Sequence, residues 1–409
     1  MFTKTDADMK IKLKYNQLIS IIAAVIIILN SGYYLTTITD SYIPLLILIG
    51  FSVILLLNRA KVNTIRITSS NIILILLMIG ILMSSIVNFS YDNLLSGGRV
   101  AMTMLCSYII VTKVDFHYLV KSYTKIIRIV IIASFLLFLL TRLGTLTFLP
   151  RISTANGEYY NLLFVTQSLS SSRASGVFWE PGVFASHIIF AALLDIYLSE
   201  RQVKLTNIII YLVGIYLAAS TAGILIAMIV FIGYVIQRAG WSKSIVVDVI
   251  FFALVIVAIF TYEIFFEWLA NLNPMLFSKL TDTTLGTTFT RLNAPLVNME
   301  IFLEKPLFGW GFTDAATQFS RNMDYALVAQ TSTSTQIMAA IGILGILYTL
   351  MCIFPIFNKK KLPQLELIDK FILAVALLLI INKEPHIFFS ITWVILFYVN
   401  RTNSIKIEE

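Results

Sequence analysis

The sequence predicts an all-α, polytopic membrane protein of about a dozen transmembrane helices, and three observations carry that prediction. Apolar residues make up 58% of the 409-residue chain and charged residues only 13%, where a soluble domain has roughly 45–50% and about 25%. Apolar runs of bilayer-spanning length recur along nearly the whole chain, as at 18–35, 71–89 and 126–140. The Lys and Arg residues behind a net charge of +8 stand at the ends of these runs and form no single basic face, so the charge reports topology and not nucleic-acid binding.

The first run, 18–36, follows Lys10, Lys12 and Lys14 in the manner of a signal peptide. No small-x-small cleavage site comes after it, so it reads as a retained helix. Further spans are expected at 42–58, 71–89, 100–112, 126–143, 181–198, 205–219, 221–237, 244–261, 334–356, 370–382 and 387–400. This number of spans places both termini in the cytoplasm, and most of the 30 Lys and Arg residues then fall inside, as the positive-inside rule requires. Two outer segments, 144–180 and 262–333, are too long to be simple turns. In the second, Leu292, Leu296, Met299 and Leu303 recur at helical spacing after Thr290, with Arg291 and Asn298 on the edge of that stripe. Such a helix either lies at the membrane surface or packs on the bundle with Arg291 snorkelling. The chain, 1–409, reads as one integral membrane domain. Cys106 and Cys352 fall inside predicted spans and read as packing residues.

The outer face prefers arginine. Arg99, Arg142, Arg151, Arg173, Arg291 and Arg321 stand there against Lys279, Lys305 and Lys383, whereas lysine dominates inside. Topology does not need arginine in particular, but bidentate recognition of phosphate or carboxylate does. An outer-face anion site and a chance distribution both fit these few residues. The first outer segment ends in Arg173-Ala-Ser-Gly-Val-Phe-Trp179-Glu180-Pro181, with Pro181 suited to a helix's first turn. Glu180 is then either a structural cap or a general base at the water–lipid boundary. The second contains Glu304-Lys305-Pro306-Leu307-Phe308-Gly309-Trp310-Gly311-Phe312 and then Asp314, a tight path flanked by rings that stack on a sugar or anchor at the interface. The outer segments hold no Asp-x-Asp pair and no His cluster, so metal chemistry is not expected. His117, His187 and His386 are dispersed and read as structural.

An Arg-x-x-Gly-x-x-x-Glu-Pro entry into a helix, then Arg291, then Lys-Pro-Leu-Phe-Gly-Trp-Gly-Phe, then Gly342-x-x-Gly345, resembles the O-antigen polymerase and ligase superfamily. The resemblance covers most of the chain and rests on the order of these motifs. It implies a GT-C-type, lipid-donor glycosyltransferase with a large late periplasmic loop, in the bacterial inner membrane with its active site facing the periplasm. The reaction it implies is inverting and metal-independent, without a cofactor, on undecaprenyl-diphosphate-linked oligosaccharides as donor and acceptor. Membrane lipid and a chain-length regulator protein are the further partners. Arg173 and Arg291 match the family's arginines, with Arg99, Arg151 and Arg321 as further candidates from their position in outer segments. Glu180 and then Asp314 are the candidate bases, and Trp179, Trp310 and Gln330 candidate substrate-binding residues. At the ligase's histidine stands Gln330, which favours a polymerase of O-antigen or capsule type over a ligase. A flippase for the same lipids would favour short outer loops and paired halves.

Overall fold

A computed structural model describes residues 4–36, 42–57, 69–143, 149–154, 157–169, 173–199, 203–240, 271, 286–323, 330–357 and 365–401. Helices dominate: α1 (Lys4–Leu29), α2 (Ile43–Leu57), α3 (Ser69–Val87), α4 (Tyr91–Lys113), α5 (Phe116–Arg142), α6 (Pro181–Leu193), α7 (Leu205–Ala218), α8 (Thr221–Arg238), α9 (Gly286–Glu304), α10 (Phe312–Asn322), α11 (Thr333–Ile341), α12 (Ile346–Phe357), α13 (Leu367–Ile381) and α14 (Ser390–Asn400). Among the described residues, six stretches are long and apolar enough to cross a membrane: α3, α4, α5, α6 with its extension to Leu198, α8, and α11 through α12. The helices α2, α7, α14 and the Tyr15–Leu29 part of α1 are apolar but shorter. The expected span 244–261 lies outside the described residues.

Helix starts follow local chemistry. The Asp115 side chain accepts the Tyr118 N–H ahead of α5, and Ser220 accepts the Gly223 N–H ahead of α8. The expected span at 100–112 is only the second half of α4. The helix begins at Tyr91, because Asp92 and Asn93 suit a first turn although they are too polar to extend an apolar run.

The chain divides into two compact units. The first holds α1, α2, Met102–Lys113, α5, α6, α7 and residues 144–180. The last of these, expected as an outer segment too long for a simple turn, carries a four-stranded antiparallel meander that the all-α expectation did not include: β1 (Arg151–Thr154), β2 (Gly157–Leu162), β3 (Val165–Ser168) and β4 (Ala174–Gly176). Its central hairpin turns through Leu163 and Phe164, with Leu163 at φ 57°, so no Asn-Gly or other usual turn pair marks it.

The sheet packs along α5. A Cβ on Gly176 would stand 3.0 Å from Val130 and 2.9 Å from Phe184, and the Thr141 hydroxyl donates to Gln167 Oε1 at 3.3 Å. Val130 lies about 18 Å of helix below Arg142 at 1.5 Å per residue. On the opposite side of the same turns, Ile129, Ile132, Leu136 and Leu139 are exposed, an apolar face suited to lipid. The meander therefore stands at the level of the exposed apolar turns of α5, across the helix from them.

Below it, α6 passes into a π-helical turn, Leu194–Leu198, that carries Asp195. Arg128 donates to Asp195 Oδ2 at 2.5 Å and to the Tyr211 hydroxyl at 2.8 Å, and that hydroxyl donates to Asp195 at 2.5 Å. Sequence reasoning read Arg128 as a topology signal and passed over Asp195; a lone carboxylate inside an apolar run was the available sign. Asp195→Leu is expected to cost about 3–5 kcal/mol by stranding the guanidinium, and Arg128→Met/Asp195→Leu distinctly less. Unfolding of the purified variants checks this, and equal losses in the single and double variants would contradict it.

The second unit holds α3, Tyr91–Ala101, α8 to α13 and the end of α14. The helix expected after Thr290 is α9, and Leu296, Met299 and Leu303 of its stripe are exposed, whereas Ala294, Val297, Asn298 and Ile301 are buried. The stripe thus faces outward, as a membrane-surface helix requires, and Asn298 points into the protein. The segment 306–311 is zipped onto the end of α11. Trp310 N–H donates to the Ala339 carbonyl and Gly311 N–H to that of Ala340, both at 2.9 Å, and Ile343 N–H returns to Pro306 at 2.8 Å. Gly309 and Gly342, at φ 67° and 71°, make this crossing possible.

Candidate functional site

Of the residues singled out from sequence, Arg151, Arg173, Trp179 and Glu180 fall in the first unit; Arg99, Arg291, Trp310, Asp314, Arg321 and Gln330 fall in the second.

In the first unit the segment 173–180 joins the sheet to α6. It is fixed on both sides by backbone bonds, with Ser168 N–H to Arg173, Tyr34 N–H to Val177 and Trp179 N–H to Gly32. His187, fully buried one to two turns into α6, staples the same region. Its Nε2 meets the Ser31 carbonyl at 2.8 Å and so carries the proton, leaving Nδ1 to accept from the Tyr123 hydroxyl at 2.7 Å. The ring stacks on Phe178 at 3.9 Å.

On this support sit three polar groups. The Arg173 guanidinium is half-buried and donates Nε–H to the carbonyl of Ala218, at the end of α7, at 3.1 Å. Glu180 occupies the position ahead of α6 with extended backbone, and its side chain makes no capping bond. Tyr159 of β2 donates its hydroxyl to the Trp179 carbonyl at 3.3 Å. Burial, and then the negative charge of Glu180, raise the Tyr159 phenol above its ordinary value, against the opposing charge of Arg173. Both charges therefore act on one phenol, which stays protonated and serves as a donor. Sequence reasoning missed Tyr159, because only the strand pairing brings it to Glu180. Glu180 thus stands at the cap position without a side-chain capping bond, and it and Arg173 both act on Tyr159, which bonds the Trp179 carbonyl. Arg151 lies apart on β1, exposed, its guanidinium 5.7 Å from the ring centre of its cross-strand partner Tyr160.

In the second unit, two candidate residues have protein partners. Lys305 Nζ lies 3.7 Å from the Trp310 ring centre, over one face, and the indole N–H donates to the Ile301 carbonyl at 3.1 Å. Asp314 is engaged as well. Asn93 donates to its carboxylate at 2.8 Å and accepts the N–H groups of Thr313 and Asp314 at 2.9 and 3.2 Å, a cap on α10 supplied by α4. A clasp of this kind suits a carboxylate at the positive end of a helix. Arg99 is exposed within α4 and not in a loop, and Arg321 is exposed in the last turn of α10. Arg291 lies on α9, and its side chain is outside the described residues.

Gln330 is buried just ahead of α11. Its Nε2 donates to Asn298 Oδ1 at 2.9 Å, and Asn298 Nδ2 donates to the Thr335 hydroxyl at 3.2 Å. Asn382 Oδ1 takes the Ser332 hydroxyl and the Ser334 N–H, both at 3.1 Å. Sequence reasoning also missed the turn after α13, where Lys383, Glu384 and His386 are buried beside the start of α11, through Thr333 bonded to the Glu384 carbonyl and His386 N–H. Ionisable residues between two apolar helices were the signal.

Among the described residues no three His, Cys, Asp or Glu side chains are grouped as a metal's ligand set. Compared with known proteins, the chain matches no family model and no curated protein.

Proposed function

We propose that this chain is a polysaccharide polymerase of the O-antigen or capsule type, joining undecaprenyl-diphosphate-linked oligosaccharide repeat units at the periplasmic face of the bacterial inner membrane. The observation that carries the reading is the set Arg173, Glu180 and Tyr159, a cation, a carboxylate and a phenol held at the start of an apolar helix. Its place at the level of the exposed apolar turns of α5 suits a substrate whose anchor stays in the bilayer while its diphosphate reaches protein.

In this reading Arg173 pairs with the donor's diphosphate and stabilises the charge that grows as the anomeric carbon–oxygen bond breaks. Glu180 takes the proton from the acceptor hydroxyl, whose oxygen forms the new bond from the opposite face, inverting the anomeric centre. Tyr159 keeps its proton on the Trp179 carbonyl and so positions the segment that carries Glu180. The resemblance alone makes Arg291, in the second unit, a further phosphate-binding candidate. The finer architecture, with twelve spans, a GT-C-type scaffold and cytoplasmic termini, belongs to the same proposal, and the two motifs interlocked at Gly309 and Gly342 support it.

Deleting the gene in its host tests the reading. The expected result is surface glycan reduced to single repeat units. Long chains persisting would reject the polymerase, and lipid-linked units trapped on the cytoplasmic face would point to a flippase.

A further inference from the structure

Helices α5 and α7 lie side by side and run the same way. Arg128 meets the Tyr211 hydroxyl at 2.8 Å, and a turn further along both helices a Cβ on Gly214 would stand 2.9 Å from Ile131. The two contacts share one register. The outer side of this pair is apolar: Ile129 to Leu139 supply the exposed stripe of α5, and Ile209, Leu212 and Tyr216 are exposed on α7. At 1.5 Å per residue the α5 stripe is about 15 Å long, half of a bilayer's ~30 Å hydrocarbon core.

Toward the start of each helix the same wall turns cationic. Lys121 and Lys125 are exposed, and the helical repeat puts them on the side of Ile129 and Ile132. Lys204, also exposed, stands just ahead of α7. Lys121 precedes Arg128 by seven residues, and Lys204 precedes Tyr211 by seven, which is almost two full turns. Each lysine therefore repeats the side of its helix that carries the Arg128–Tyr211 contact, about 10 Å nearer the helix start. Lys121 and Lys204 thus flank the α5–α7 seam at one level, with Lys125 a turn along.

Among the described residues no carboxylate comes within 4.0 Å of any of these three amines. Asp195 is taken by Arg128, and Asp115 caps α5 through the Tyr118 N–H. Cations gathered without a counter-charge repel one another, and an anion among them relieves that repulsion. The apolar wall that continues from them selects an anion carrying hydrocarbon chains. Arg173, bonded to the Ala218 carbonyl, belongs to the other end of α7, about 20 Å from Lys204, so this cluster is separate from the catalytic set proposed above.

We propose that Lys121, Lys125 and Lys204 bind the head group of an anionic glycerophospholipid whose acyl chains lie along the exposed faces of α5 and α7. The site stands whether or not the chain is a polymerase. Lysines that only mark the membrane boundary would snorkel to water and prefer no lipid over another.

The full chain is purified in neutral detergent, stripped of lipid, and titrated with phosphatidylglycerol or with phosphatidylcholine of the same acyl chains. Native mass spectrometry counts the bound lipids. The expected result is at least about tenfold tighter binding of the first phosphatidylglycerol than of phosphatidylcholine. Lys121→Gln/Lys125→Gln/Lys204→Gln is expected to lose that preference. Lys359→Gln/Lys360→Gln/Lys361→Gln, which removes the same charge from the other unit, is expected to keep it. Should the first triple variant fail to fold, Lys125→Gln alone is expected to weaken phosphatidylglycerol binding about fivefold. Equal affinity of the wild type for both lipids, no loss in the seam variants, or equal loss in both triple variants overturns the proposal. Tighter binding of a polyprenyl phosphate at the same three lysines overturns it too, and gives the seam to the glycan's carrier lipid.

Discussion

Cells carrying Arg173→Ala are expected to accumulate single lipid-linked repeat units, with polymer falling by at least about 100-fold. A hydrogen bond to a charged partner contributes about 1.5–3 kcal/mol, and a preorganised contact to a developing charge about 2.7–4 kcal/mol. The fold should survive, because Arg173 is only half-buried and the backbone bonds of Arg173, Val177 and Trp179 that fix the segment do not involve its side chain. Arg173→Lys should recover part of the rate, since it restores charge without the planar fork. Polymer length on gels and the unfolding temperature are read together. Normal ladders from well-folded Arg173→Ala would remove Arg173 from the mechanism.

Gly342→Ala is expected to destabilise the fold strongly, by about 3 kcal/mol or more. The backbone there, φ 71° and ψ −151°, lies in a region kept almost wholly for glycine, at roughly 1–3 kcal/mol for any other residue. A Cβ would also stand 2.3 Å from the Leu307 carbonyl oxygen, a fixed backbone atom, and overpacking costs about 1–3 kcal/mol more. The zipper of 306–311 on α11 would part, releasing the clasp between Asn93 and Asp314 that follows it. Thermal unfolding checks this, with Gly98→Ala as control, since nothing lies within 4 Å of a Cβ there. Equal behaviour of the two variants would mean that the crossing carries no weight.

These expectations show what could be read from the chain alone. Spans such as Ser69–Val87 and Thr221–Arg238 were legible because a bilayer-length apolar run has few other uses. The start of α4 was not, since its polar first turns carry no hydropathy signal. The meander was hidden for a similar reason: its strands are three to six residues long, and their turn at Leu163 lacks glycine or asparagine. Arg173 and Glu180 could be paired in advance because they share one segment. Tyr159 joins them only through strand register. Gly309, Gly311 and Gly342 were seen as separate motifs, and the backbone crossing that unites them is a tertiary fact. Asp314 and Trp310 looked functional by residue type, yet the partners that occupy them, Asn93 and Lys305, were not predictable from type alone.

The central claim is that this chain itself joins lipid-linked units. The most direct measurement is incubation of purified wild-type protein with one defined undecaprenyl-diphosphate-linked repeat unit, in chelator and with no added metal or nucleotide. A ladder of products two, three and more units long, with release of undecaprenyl diphosphate, is the predicted result. Quantitative recovery of the single unit from folded protein would contradict it.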